Sequence, residues 1–203
     1  MSIVGTNIET RSLTRNVRYI ILSFRPSSLL FGSCPFSQPD FPVFVNEVYL
    51  DHVGSNGFFV EVAFPNTTSF EYYTIEIFEE QGSSLSNIGT LATTNGGSMG
   101  QMSNGLQFFT WTLPTAFAAI AVVDDWGFVL EFLSLNENEF PADGGAVGGS
   151  SPRSIGVTQS KPGETAFSRQ GSGCISNDFT WMETTIPTKG DVNDLQTIPV
   201  GCV

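Results

Sequence analysis

The sequence predicts an all-β chain folded as an antiparallel β-sandwich. Apolar residues recur at every second position in short runs, the periodicity of a strand with one face buried. Turn-formers separate those runs: QGSS, NGGSMG, SNG, DDWG, DGGAVGGSSP and KPGE. No stretch long enough to be a helix repeats its apolar residues with a period near 3.6. Many short strands with frequent turns fit about eight or nine strands in two packed sheets.

The first segment, residues 1–40, is expected to be a poorly ordered leader. Arg11, Arg15, Arg18 and Arg25 flank two apolar patches, Tyr19 to Phe24 and Ser27 to Cys34. Basic, then apolar, then small residues follow the order of an export signal, so an extracellular destination is expected. Arg25 and Pro26 interrupt the pattern, and a leader without a targeting role is the other reading.

The strands are expected within one domain spanning residues 41–198. Val43 to Leu50 is the first. Phe58 to Phe64 places Phe58, Val60, Val62 and Phe64 on one face and Phe59, Glu61 and Ala63 on the other. Tyr72 to Phe78 groups Tyr73, Ile75 and Ile77 against Thr74 and Glu76. Leu106 to Leu113, Ala118 to Val123 and Phe128 to Leu135 follow, with weaker runs at Ser154 to Val157, Thr165 to Gln170 and Phe179 to Glu183. Gly144 to Pro152 reads as a loop inside the domain, and residues 199–203 as a C-terminal tail. Between Ala118–Val123 and Phe128–Leu135, the stretch DDWG reads as a hairpin turn. Asp124 and Asp125 take turn positions there, and Gly127 tolerates positive φ.

Composition excludes several functions. The 203 residues include 18 Phe and carry a formal charge of −12, with no Lys or Arg from Pro26 to Pro152. Such a chain supports a core, and it repels a phosphate backbone, so direct nucleic-acid binding is not expected. No apolar run is long enough to span a membrane. With one histidine, His52, three cysteines and no CxxC, a structural zinc site is not expected, nor any other metal or cofactor. Cys174 and Cys202 are expected to form a disulfide that pins the C-terminus, leaving Cys34 in the leader. Pairing of Cys34 with either partner requires a retained leader, and three free thiols would fit a reducing compartment.

No catalytic set emerges. GGSMG, Gly96 to Gly100, matches G-x-S-x-G, but no helix signal follows Ser98 and His52 precedes it, so the stretch reads as a flexible loop. Glu76 and Glu79 fall on opposite faces of a strand, and Glu80, Glu137 and Glu139 sit at strand ends, so no facing carboxylate pair is expected. Asp191 and Asp194 lack the spacing of a calcium loop. Asn66-Thr67-Thr68 is a sequon that matters only in a eukaryotic secretory setting.

The order of motifs resembles the lamin tail domain, in the variant found in exported microbial proteins. VFVNEVYLDHVGSNGFFVEV, Val43 to Val62, is similar to that family's opening strand pair, and YTIEIFEEQGS, Tyr73 to Ser83, to the next strand and turn. AIAVVDDWGFVLEFLS, Ala119 to Ser134, resembles its central hairpin. GSSPRSIGV, GSGCISNDFTW and GDVNDLQTI resemble its later segments, with Ser154 where the family often has an acid. The resemblance implies an immunoglobulin-like sandwich without an active site of its own. It also implies a binding or tethering role among exported proteins; no heptad rod precedes the domain, so a filament-forming lamin is excluded. The expectation is therefore a non-catalytic, exported module that engages a protein, glycan or surface polymer through its loops. The alternative is an accessory domain or fragment of a larger exported hydrolase of nuclease or phosphatase type.

Overall fold

The structure, a computed structural model, describes residues 42–51, 57–92, 97–113, 115–160 and 164–202. The leader, Cys34 and His52 lie outside the described residues. Among the described residues there are thirteen strands: β1 Phe44–Asp51, β2 Phe58–Pro65, β3 Tyr73–Gln81, β4 Ser84–Ala92, β5 Gly97–Ser103, β6 Leu106–Leu113, β7 Ala119–Asp124, β8 Val129–Ser134, β9 Ala142–Asp143, β10 Arg153–Ser154, β11 Glu164–Ser172, β12 Phe179–Thr184 and β13 Gln196–Thr197. They form the two sheets of a β-sandwich. One has the order β12-β11-β1-β2-β6-β5, with β13 added to β11, and the other β10-β8-β7-β3-β4-β9.

The expected faces are the observed ones. Val60, Val62 and Phe64 of β2 meet Ile75 and Ile77 of β3, Ile120 and Val122 of β7, and the fully buried Trp111 of β6 in one core between the sheets. The Trp111 indole donates to the Ala92 carbonyl at 3.3 Å and packs 4.6 Å from the Phe109 ring.

Both sheets also carry apolar residues on their outer faces, and a loop covers each. Phe78, Leu85, Ala119, Ala121 and Val123 pack under Ala142 and Val147. Phe44, Ala63, Phe108 and Phe179 pack under Ile198, with Val192 and Cys202 alongside. This double burial explains why β7 reads as an unbroken apolar run rather than an alternation.

Three expectations are corrected. β4 and β5 were not predicted, because their sequences, SLSNIGTLA and GSMGQMS, carry few apolar residues. Gly97 to Gly100, expected within a flexible loop, begin β5, and Gly96 lies outside the described residues. A methyl group at Gly97 would overlap the Phe109 ring, and one at Gly100 the Gly190 backbone, so close approach selects glycine at both positions. Only Ser154 of the run Ser154 to Val157 is in a strand, β10. That strand, β9 and β13 each pair in parallel, so the antiparallel pattern has three short exceptions.

Candidate functional site

A β-bulge in β1 creates the most polar part of the interior. The register with β2 jumps from Val45↔Val62 to Glu47↔Glu61, which leaves Asn46 without an opposite residue. Side chains take up the backbone groups freed there. The Val45 N–H donates to Glu131 Oε2 at 2.8 Å, and the Val45 carbonyl accepts from Arg169 Nε at 2.7 Å. Arg169 Nη2 donates to Glu131 Oε1, and Nη1 to the Ser176 carbonyl. Both side chains are buried, and the guanidinium lies 4.7 Å from the Trp181 ring centroid and 5.4 Å from that of Phe44. Burial lowers the Arg169 pKa, and the Glu131 charge opposes that shift.

Beside this bridge, where β10 and β12 form neighbouring edges of the two sheets, lies a recess of about 300 Å³. Arg153, Ser154, Asn177, Phe179, Thr180 and Trp181 line it. The Arg153 side chain is 59% exposed; its Nη2 is 3.5 Å from Glu131 Oε1 and its Nη1 donates to Asn177 Oδ1 at 3.4 Å. Neither Arg153 nor Arg169 was singled out from the sequence. The available signal was their position after a stretch of more than a hundred residues without a cation.

A second polar cluster holds the C-terminal segment against the outer face of β1 and β2. Glu47 accepts from the Thr188 N–H at 2.9 Å. Glu61 accepts from Asn46 Nδ2 at 2.8 Å and from the Gly190 N–H. Gln196 donates to Asn46 Oδ1 at 2.7 Å, and Asn193 bridges the carbonyls of Asn46 and Arg169. Burial pushes Glu47 up to about 7 and Glu61 up to about 8, against the N–H donors that favour their ionised forms.

Other carboxylates act on backbone in the same way. Glu76 accepts from the Ala146 N–H at 3.0 Å and fixes the loop over the second sheet. Gly145 passes so close to Glu76, at φ 70°, that no side chain fits there. Asp178 accepts from the N–H groups of Cys174 and Ile175. Asp124 accepts from those of Trp126 and Phe128 at 3.0 and 2.8 Å, and Gly127 has φ 81°. That is the turn geometry expected of DDWG; Asp125 is exposed.

The remaining sequence candidates do not converge. Ser98 is exposed on the edge strand β5, Asp194 is exposed, and Asp191 accepts from the neighbouring Val192 N–H. Among the described residues, no three His, Cys, Asp or Glu side chains are grouped so as to hold a metal ion. Nor is any helix among them long and apolar enough to cross a membrane. The sulfurs of Cys174 and Cys202 lie at disulfide distance, with Cα atoms 5.0 Å apart, and Cys202 packs against the Ile198 cluster. Compared with family models, curated proteins and solved structures, the chain finds no match.

Proposed function

We propose that this chain is a non-catalytic, exported binding or tethering module of the lamin-tail kind, acting through the loops of its sandwich. The observation that carries the reading is the β7–β8 turn. Trp126 is 81% and Phe128 67% exposed on a turn whose backbone Asp124 fixes. Tyr72, also exposed, immediately precedes the residue paired with Asp124. Exposed aromatic rings on a rigid turn offer contact area at low entropic cost, which suits recognition of a protein, glycan or surface polymer. The carboxylates support the same reading, because Glu47, Glu61, Glu76, Glu131, Asp124 and Asp178 all accept backbone N–H groups. Acids held this way anchor loops. The same aromatic turn also suits docking onto a catalytic domain, the accessory reading.

The test pairs the parent protein with a Trp126→Ser/Phe128→Ser variant. Both are immobilised and exposed to native extracellular proteins and surface glycans, and both are screened against ester, phosphate, glycoside and nucleic-acid substrates. The expected result is a ligand retained by the parent and lost by the variant, with no turnover. Turnover that survives repurification and disappears on Ser98→Ala, His52→Ala or Glu76→Gln overturns the non-catalytic reading. Retention that the double substitution leaves unchanged overturns the assignment of the turn.

A further inference from the structure

We propose that the recess between β10 and β12 binds the carboxylate of a single uronic-acid sugar unit, with Arg153 as the group that holds it. The proposal rests on the recess and not on the aromatic turn. Arg153, Arg169 and Lys189 are the cations among the described residues, and two of the three line this one depression. Two carboxylates stand beside them: Glu131 pairs with both guanidiniums, and Glu139 accepts from the Ser154 N–H at 3.1 Å. In a chain with a formal charge of −12, this is a locally neutralised patch where an anion meets less repulsion than elsewhere.

The two arginines differ in what they have left to offer. Arg169 is committed to Glu131, the Val45 carbonyl and the Ser176 carbonyl, and is 1% exposed. Arg153 has five N–H donors, and its two contacts are long, 3.4 and 3.5 Å. Its side chain is more than half exposed. A planar guanidinium with open donors matches a carboxylate in the bidentate geometry that lysine cannot reproduce.

The rest of the lining fits a sugar. Ser154 and Thr180 supply hydroxyl groups, and Phe179 and Trp181 supply aromatic surface. Trp181, 7% exposed, has an indole N–H with no acceptor among the described residues. A buried donor left unmatched in a native fold is uncommon, and a ligand oxygen in the neighbouring recess is one way to satisfy it. At about 300 Å³ the recess is at the small end of ligand sites, matching one ring rather than a peptide. The acidic body repels a polyanion, so the occupant carries one carboxylate on an otherwise neutral glycan.

Nitrogen-15 NMR on the whole chain tests this. The Trp181 indole resonance is assigned with Trp181→Phe, and methyl β-glucuronide, methyl β-glucoside and acetate are titrated separately. Glucuronide is expected to shift that resonance and the Ser154 and Thr180 amides saturably, while glucoside and acetate bind far more weakly. Arg153→Gln is expected to weaken glucuronide binding about tenfold or more, and Arg153→Lys to weaken it less. Preserved spectral dispersion shows whether Arg153→Gln is folded. Thr180→Val, which leaves Arg153 in place, is expected to weaken glucuronide without changing acetate. Resonances unmoved by glucuronide at about 50 mM overturn the site, since such a ligand would bind more weakly than any specific one. Equal response to glucoside overturns the role of charge, and equal affinity for acetate overturns the sugar. Arg153→Gln or Thr180→Val binding like the parent overturns the lining proposed.

Discussion

Glu131 of one sheet and Arg169 of the other meet inside the sandwich and together bind both backbone groups of Val45. The bridge therefore does two jobs: it crosses between the sheets, and it satisfies the polar groups that the bulge at Asn46 frees. An unpaired buried backbone group costs free energy comparable to a lost hydrogen bond, so the bulge and the bridge require one another.

Removing one partner of this bridge is expected to be more damaging than removing both. Arg169→Met alone leaves the buried Glu131 charge with only the long contact to the exposed Arg153 and the Val45 N–H to offset it, at a cost of up to about 3–5 kcal/mol. Arg169→Met with Glu131→Leu removes that charge and leaves the neutral Val45 groups and the Ser176 carbonyl without these partners. Urea unfolding of the three proteins measures the difference. A double variant less stable than the single one would contradict the pairing.

Stability is expected to fall as pH rises from about 5 to about 8. The folded pKa values of Glu47 and Glu61, about 7 and about 8, lie above the ordinary value of 4.5. Between the ordinary and the raised values the unfolded chain has released these protons and the folded chain still holds them. The unfolded state therefore binds fewer protons, and raising pH favours it; above the raised values the loss levels off. The change is on the order of a few kcal/mol. Glu47→Gln/Glu61→Gln should flatten the profile, read from melting temperature against pH, and an equal slope in parent and variant refutes the assignment.

The β7–β8 turn separates its two aspartates. Asp124→Ala removes the acceptor for two backbone N–H groups and is expected to cost about 1–2 kcal/mol. Asp124→Asn keeps an acceptor oxygen and should cost less. Asp125→Asn is expected to leave the melting temperature unchanged. Thermal unfolding of the three variants orders them, and a calcium-dependent rise in melting temperature abolished by substituting both aspartates would contradict a turn-only role.

Cys174 and Cys202 close a loop with a sequence separation of 28. Chain-entropy arguments give roughly 3–4 kcal/mol for such a closure. Cys174→Ser/Cys202→Ser is expected to lower stability by about that amount and to expose the 199–203 tail to proteolysis. Mass mapping of the non-reduced protein checks the pairing, and a Cys34 adduct with either cysteine would refute it.

The sequence by itself determined the strand periodicity, the two faces of β2 and β3 and the DDWG turn. These follow from local rules: alternation of side chains along an extended chain and the φ freedom of glycine. Tertiary structure decided what depends on distant partners. β4 and β5 are strands because neighbouring chain segments pair with them, although SLSNIGTLA and GSMGQMS lack an apolar face strong enough to be seen alone. The bulge at Asn46 reverses the phase of β1, so that Val45 and Val48 both enter the core while Asn46 and Glu47 bond to groups on the outer side. Glu131 and Arg169 lie 38 positions apart and on different sheets. No periodicity within a strand relates them; only the packing of the two sheets brings them together, and with them the recess that Arg153 borders.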